Sequence, residues 1–203
     1  MGLEVIPEAV RNRYHIEERW HACAVLSVDC KEEISDILEC LSQFVLVRSE
    51  VEEGGGRKTK ITARVDEFLQ ARGWQERSIS VSRTVGDETV DTKTHKVDFC
   101  KGRVAIEMEW NSKDSVFSRD LNAFRLLHEV GVISVAVILT RMDELQEMFN
   151  SLDVGGKYGA STTHWGKLIP KINAGESGTC PLLLIGITRK CYQDDVGDSA
   201  QPL

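Results

Sequence analysis

The chain has 203 residues, of which 41% are hydrophobic and 28% are charged, and this balance is that of an ordinary globular protein. Its longest apolar runs, such as Val132–Leu139, are far shorter than a membrane span, and its net charge of −7 argues against non-specific coating of nucleic acid. A local basic cleft is still allowed, because the total charge does not say where the individual charges lie.

A chain of this length can form one well-buried core, and no stretch resembles a linker, so we expect a single domain over residues 1–203. The first residues lack a basic segment followed by an apolar one, which predicts no secretory signal, a cytoplasmic protein and no membrane partner. The six cysteines contain no Cys-x-x-Cys pair, which argues against a zinc knuckle or a disulfide scaffold and favours buried, reduced thiols. His21 and Cys23 resemble half of a zinc site, but no second pair follows at a useful spacing.

The first third of the chain is predicted to be mostly helical. Apolar residues recur at loosely helical intervals over Pro7–Cys23, and a regular apolar stripe predicts a core-facing helix over Lys31–Val45 with Asp29 as its cap. Three glycines and mixed charges over Glu50–Lys60 predict a flexible loop. This loop is either a simple connector or a basic arm that orders on a polyanion.

The remaining segments alternate between strands and helices. They are, in chain order, a helix Thr62–Arg72 that ends at Gly73, an extended stretch Gln75–Thr84, a hairpin Lys96–Trp110, a helix Val116–Glu129 that ends at Gly131, a strand Ile133–Leu139, a helix Met142–Leu152, a glycine-rich loop Asp153–Gly166 and a strand Leu182–Ile187. The β-branched run at 133–139 is typical of a strand that is buried on both faces. A strand, a helix and a buried strand in succession predict two parallel neighbours in one sheet. The polar tail 192–203 is predicted to be disordered.

The hairpin KVDFCKGRVAIEMEW, residues 96–110, gathers acidic side chains. Alternation divides its second strand into two faces, one with Val104, Ile106 and Met108 and the other with Ala105, Glu107 and Glu109. If the turn at Lys101–Gly102 folds the first strand back, Asp98 reaches the same end of the acidic face. Such a cluster is costly without a cation, and hard divalent ions such as Mg2+ prefer carboxylate and carbonyl oxygens. The sequence therefore indicates a candidate metal site, with Glu76 as a further carboxylate; the alternative is a hairpin with a solvated acidic face.

Four blocks carry a resemblance to a known family. They are LQARGW, KVDFCKGRVAIEMEW, VGVISVAVILTRMDELQEMF and PLLLIGI, and with their surroundings they span about Ile61–Ile187. The acidic hairpin followed by a helix and a strand resembles the core of the PD-(D/E)xK nucleases. The sequence of the four blocks together resembles the type II restriction endonucleases BamHI, BglII and BstYI, most closely BstYI and BglII. This resemblance implies an α/β fold with a central mixed β-sheet flanked by helices. It also implies an Mg2+-dependent deoxyribonuclease that cuts double-stranded DNA at a short palindromic site.

The resemblance assigns roles to the acidic residues. Asp98 and Glu107 match the two metal-binding acids of the group, and with the carbonyl of Met108 they would hold Mg2+. Glu109 stands where most of the wider class has Lys and where BglII and BstYI have Gln, and a Glu there resembles BamHI. Its role is left open between orienting water, binding a second ion and taking a proton. Glu76 falls near the variable amino-terminal active-site position of the group.

The resemblance also indicates where DNA is read. In the group, base contacts come from the region after the catalytic strand and from a loop before the last strands, which here contain Asn111, Ser112, Lys113, Arg119, Ser161, Thr162 and Thr163. Each of these residues has an alternative role as a helix cap or a loop hydroxyl. The helix Val116–Glu129 and its neighbour would form a homodimer contact that matches a two-fold enzyme to a palindrome. The group recognises six-base sites centred on GATC, which suggests a related site.

Three functional hypotheses follow. The first is a homodimeric restriction endonuclease, which predicts discrete DNA fragments. The second is a nuclease of the same class that acts in repair or recombination, which predicts cleavage without a fixed sequence. The third is a non-enzymatic α/β interaction module, which predicts neither divalent-ion binding nor DNA affinity.

Overall fold

The computed structural model describes residues 2–53 and 59–195. Its helices are α1 (Glu8–Arg11), α2 (Ala22–Asp29), α3 (Lys31–Gln43), α4 (Arg48–Glu53), α5 (Lys60–Gln70), α6 (Val116–Glu129), α7 (Leu145–Ser151) and α8 (Trp165–Asn173). Its strands are β1 (Tyr14–Arg19), β2 (Leu46–Val47), β3 (Gln75–Val85), β4 (Glu88–Lys101), β5 (Val104–Glu109), β6 (Val135–Arg141), β7 (Leu182–Ile187) and β8 (Tyr192–Gln193). Short 3-10 turns lie at Leu3–Val5, Gly155–Tyr158 and Arg189–Cys191.

Six strands form one mixed sheet in the order β1-β7-β6-β5-β4-β3. The three central strands β5, β6 and β7 are parallel, whereas β1 pairs antiparallel with β7 and β4 pairs antiparallel with β5. Strand β4 also pairs antiparallel with β3 along a long two-stranded ribbon. The short strands β2 and β8 pair with each other outside this sheet. The expected α/β architecture with a central mixed sheet is confirmed.

Helices cover both faces of the sheet because its central strands are apolar on both faces. One hydrophobic cluster joins α2, α3, α5 and α7 to one face, and the other joins α6 and α8 to the opposite face. Strands β5, β6 and β7 are buried along their whole length, as parallel strands between two helical layers must be. Within the described residues, no helix is both long enough and apolar enough to cross a bilayer.

The strongly periodic segments were predicted well. Helix α6 and strand β7 have the predicted bounds, α3 begins at the predicted residue, and β5 and β6 are parallel neighbours. The predicted inward side chains of α6 are all fully buried: Phe117, Leu121, Phe124 and Leu127. Gly73 and Gly131 follow α5 and α6 with positive φ angles, which is the conformation that ends helices at glycine.

The helix predicted over Pro7–Cys23 was wrong. This segment contains the short helix α1, then strand β1, and only then the start of α2. Strand β1 exists because it pairs with the edge of β7, a long-range interaction that local spacing does not reveal. Asp29 is not the cap of α3 either: it is the last residue of α2, and Cys30 occupies the cap position without a side-chain hydrogen bond.

Two predicted loops also differ. Part of the predicted loop 50–60 is helical, because α4 continues to Glu53 and α5 begins at Lys60; residues 54–58 lie outside the described residues. Helix α8 was missed between the glycine-rich loop and β7. Its interior contains Pro170, a residue that usually interrupts helices, so the sequence did not indicate a helix there. The predicted disordered tail 192–203 begins with strand β8, and residues 196–203 lie outside the described part of the chain.

Leu121 gives a test of the packing of α6 against the sheet. Its side chain is fully buried, so we expect Leu121→Ala to lower the free energy of unfolding by about 3 kcal/mol through lost burial and a cavity. Val130, just after the same helix, is 40% exposed, and Val130→Ala serves as the matched control with a cost below about 1 kcal/mol. Urea unfolding measures both; equal losses would contradict the placement of α6.

Candidate active site and metal centre

Strand β5 divides its side chains between two environments, as the alternation predicted. Val104, Ile106 and Met108 pack into the cluster formed with α3 and α5. Glu107 and Glu109 point to the side of α6, where they are only 1% and 4% exposed. The alternative of a solvated acidic face is therefore wrong. Two buried carboxylates side by side on one face of a strand need a specific physical reason.

The acids lie where two strands separate. Strands β4 and β5 pair through Phe99↔Ile106 and the two pairs beyond it, up to the turn at Gly102. On the other side of Phe99, β4 remains paired with β3 instead. Asp98 stands at this fork, and its Oδ2 accepts a hydrogen bond from the backbone N–H of Met108 at 3.4 Å. The fork opens the sheet beside the acidic face of β5.

A fourth carboxylate, Asp120 of helix α6, completes the cluster. Oxygen atoms of Glu107, Glu109 and Asp120 lie within 4.8 Å of one another, and Asp120 is fully buried. Asp98 joins this group through a side-chain hydrogen bond with Glu107. The predicted convergence of Asp98, Glu107 and Glu109 is thus present in the structure, with Asp120 as an addition.

Burial and mutual repulsion make the charged state of this cluster unfavourable. Burial raises the pKa of Glu107 well above its ordinary value, and the charges of Asp98 and Asp120 raise it further. Burial, followed by the charge of Asp120, raises the pKa of Glu109 to about 8. Burial also raises the pKa of Asp98. Without a cation, the site must therefore hold protons to remain buried.

The donor set fits a hard divalent cation. The carboxylates offer several oxygen ligands in one place, which is the coordination that Mg2+ prefers. Oε2 of Glu109 is buried and has no hydrogen-bond partner among the described residues, so it is available as a ligand. A cationic side chain, Arg119, also contacts the cluster: its Nη2 lies 3.8 Å from Oε1 of Glu109 and 3.1 Å from Oδ1 of Asp120. This guanidinium is half exposed and offsets only part of the negative charge.

The cluster borders an open cleft of about 560 Å³. Its walls come from α5, from the fork between β3, β4 and β5, and from the start of α6. Glu76, predicted as a further carboxylate of the cluster, lines this cleft, but its carboxylate is exposed and pairs with Lys96 at 2.8 Å. Asp66 of α5 lines the same cleft, and its charge contributes to the raised pKa of Asp98. Glu76 is therefore on the rim, and Asp66 is the acid of α5 that acts on the cluster.

The two predicted DNA-reading regions are neighbours. Lys113 and Thr162 form a β-bridge, and the N–H of Asp114 donates to the carbonyl of Ser161 at 3.0 Å. The N–H of Thr163 donates to the carbonyl of Ser112 at 2.9 Å. Both regions lie at the carboxyl ends of β5 and β6, next to the acids.

The predicted DNA-binding side chains differ in accessibility. Four are exposed: Ser112, Lys113, Arg119 and Ser161. Asn111 is half-buried and its amide donates to the carbonyl of Lys157 at 2.9 Å. The hydroxyl of Thr162 donates to Gly159, and the buried hydroxyl of Thr163 accepts from the N–H of Ser112. The alternative role of loop hydroxyls as internal supports therefore describes the two threonines in this structure.

A mixed α/β sheet whose forked strands present buried acids to an open cleft is the arrangement that the resemblance to nucleases of the restriction-endonuclease type implies. The family model described as "Restriction endonuclease BglII/BglIII" matches residues 14–187. The chain therefore belongs to this family and is a type II restriction endonuclease, which acts on DNA. No individual curated protein gives a significant match to the chain.

Asp120 and Asp66 were missed in the sequence, although Asp120 left a signal. It lies three residues after Phe117 and four before Phe124, and both of those residues are on the inward face of α6. A carboxylate on the buried stripe of an amphipathic helix marks an unusual environment. Asp66 carries no such signal, because its half-exposed position on α5 is ordinary for an acid.

The buried acids predict a pH-dependent stability. In a chelator, Glu109 has a folded-state pKa of about 8 against an ordinary value of 4.5. The stability that its protonation supplies is therefore fully present below pH 4.5 and is lost as the pH rises through 8. We expect the unfolding free energy of the wild type, relative to Glu109→Gln, to fall over this range by on the order of 3 kcal/mol.

Urea titrations at several pH values measure this difference. Glu147→Gln is the matched control because Glu147 is exposed on α7, and its difference from the wild type should stay flat. Parallel curves for Glu109→Gln and Glu147→Gln would contradict the burial of Glu109.

Proposed function

We propose that this enzyme hydrolyses phosphodiester bonds of double-stranded DNA at a short palindromic site, with Mg2+ as its cofactor and as a homodimer. The observation that carries the proposal is the set of buried carboxylates at the fork of β4 and β5, open to a cleft. Such a set is stable in its charged form only next to a cation, and a duplex phosphate brings its own negative charge that a divalent ion offsets.

Asp98, Glu107 and the carbonyl of Met108 are the proposed ligands. The two carboxylates lie together at the fork, where Asp98 is hydrogen-bonded to Glu107 and accepts from the backbone N–H of Met108. Asp120 supports the same position from the opposite side, because its carboxylate lies close to that of Glu107. When bound, Mg2+ would lower the pKa of a coordinated water and neutralise charge on the scissile phosphate.

Glu109 is proposed to orient the attacking water and to take its proton. Its Oε2 is buried and unpartnered among the described residues, and it lies beside the proposed ligands, so it can accept a hydrogen bond or a proton from a nearby water. Arg119 lines the cleft next to Glu109, so its exposed guanidinium is suited to contact the DNA phosphate. We propose that Glu76, on the rim of the same cleft, faces the substrate.

Sequence reading is proposed for the region 111–113 and the region 161–163. Both lie beside the acids, and their exposed side chains carry the donors and acceptors that base edges in the major groove require. We further propose a site centred on GATC, a dimer contact through α6, and a nearest kinship with BglII and BstYI, all resting on the sequence resemblance. Six buried free cysteines support a reducing compartment such as the cytoplasm.

Digestion of unmethylated phage DNA tests the proposed activity directly. With Mg2+ we expect a set of discrete fragments whose ends define one palindromic sequence, and with a chelator we expect intact DNA. A continuous smear or a ladder without a fixed sequence would favour the repair-type nuclease instead. Intact DNA across varied substrates, with the protein shown to be folded, would overturn the proposal.

Glu107→Gln should separate binding from cleavage. The change keeps the size of the side chain but removes a proposed metal ligand, so we expect cleavage to fall by about 10³-fold while DNA binding in Ca2+ persists. Glu147→Gln on the exposed face of α7 should cleave like the wild type. Cleavage by Glu107→Gln within a few-fold of the wild type would remove Glu107 from the mechanism.

A further inference from the structure

Arg141, the last residue of β6, is a buried cation that the proposed chemistry does not use. Its side chain is only 1% exposed, and no carboxylate of residues 2–53 or 59–195 forms a salt bridge with it. Burial lowers the pKa of this guanidinium to about 10. Because a buried charge without an ion pair costs several kcal/mol, apolar residues would stabilise this position better, and the arginine calls for a functional reason.

The guanidinium holds the second DNA-reading region. Nη2 donates to the carbonyl of Tyr158 at 3.1 Å and to the hydroxyl of Thr162 at 3.0 Å. Nη1 donates to the side chain of Gln146 on α7 at 3.4 Å. One planar group thus joins both ends of the loop 158–162 to the end of β6 and to a neighbouring helix. A lysine ammonium lacks the fork of donors that makes these bonds together.

The second region in turn holds the first. Lys113 bridges Thr162, and the N–H groups of Asp114 and Thr163 each donate to a carbonyl of the other region. Ser112, in the first region, is within hydrogen-bond reach of the carboxylate of Glu109. A continuous set of contacts therefore runs from Arg141 through both regions to the carboxylate of Glu109.

A second set of contacts links Arg141 to the end of strand β5. Thr140, its neighbour on β6, donates its hydroxyl to the carbonyl of Glu109 at 2.7 Å. On its other side the guanidinium lies 5.7 and 5.9 Å from the ring centres of Phe149 and Tyr158, which stack on each other. Trp110, the residue after Glu109, meets both rings edge-on. The position of Arg141 is thus determined by the same residues that end β5.

We propose that Arg141 is a positioning residue that holds the two proposed DNA-reading regions, together with the adjoining residues 114 and 158–160, in one recognition unit. It also couples this unit to Glu109. The inference rests on the proposed DNA cleavage, and it assigns the reading differently. The hydroxyls of Thr162 and Thr163 face inward to build the unit, and the exposed side chains of Ser112, Lys113 and Ser161 contact the bases.

Sequence discrimination is the quantity that tests this role. The site found in phage DNA is placed in an oligonucleotide, and kcat/KM is compared with that of oligonucleotides carrying one changed base pair. The discrimination ratio is kcat/KM for the correct site divided by kcat/KM for the changed site. We expect Arg141→Lys to lower this ratio by about 10-fold or more, because a looser unit weakens the base contacts that discriminate between the two sites. Arg103→Lys is the control, because the Arg103 side chain donates a hydrogen bond to Ser134 at the opposite end of the sheet, far from both regions.

The ratio separates positioning from simple structural damage. A variant that is only less stable loses the same fraction of active enzyme on both substrates, so an unchanged ratio would overturn the proposal, whatever the absolute rates. An unchanged ratio together with wild-type rates would overturn it as well. A lowered ratio with a normal ratio for Arg103→Lys supports it.

Amide hydrogen exchange gives a second measurement that needs no cleavage. The N–H groups of Asp114 and Thr163 bond across the two regions, so in the wild type they should share one opening free energy. In Arg141→Lys both should exchange about 10-fold faster or more, although Arg141 touches only the second region. The N–H of Ser134, bonded to Arg103 at the far end of the sheet, should not change.

This measurement also covers the case in which a variant or the activity fails. If Arg141→Lys does not fold, different opening free energies for Asp114 and Thr163 in the wild type would still contradict a single unit. If phage DNA yields no discrete fragments, the proposed function fails on that result. The exchange data then judge the unit independently.

Discussion

Repulsion among buried carboxylates is the constraint on which this structure depends. Acids from β4, β5 and α6 approach one another in a region that excludes most water, where each charge raises the cost of the next. A fold pays such a cost only where something is gained by it. Here the buried acids lie beside a cleft, and the strands and the helix around them hold the carboxylates close together.

A few elements of the surrounding fold hold these acids in place. Parallel pairing with β6 keeps β5 rigid, so the spacing of Glu107 and Glu109 is that of the sheet itself. The departure of β4 toward β3 makes room on the other side, and α6 brings Asp120 down onto the same point. A site built on strands and a packed helix is more precise than one built on loops.

The sequence revealed the elements whose pattern is local and left the others hidden. Helix α6, strand β7 and the two faces of β5 were predictable because their apolar spacing is regular over the whole element. Strand β1 was not, since its conformation is decided by pairing with β7 far along the chain. Among the site residues, Asp98, Glu107 and Glu109 followed from the hairpin pattern. Asp120 required knowledge of how α6 packs, and Arg141 required knowledge of which loops its strand end supports.

The pairing of β1 with β7 bears on how the enzyme is made. Tyr14 lies opposite Ile187, so the edge strand β1 joins the sheet by pairing with a strand far along the described chain. A ribosome releases β1 early and β7 late, and contacts between such distant residues form slowly. No nascent chain that stops short of β7 contains the finished sheet. The cell that synthesises this restriction endonuclease therefore meets the complete sheet only after β7 has left the ribosome.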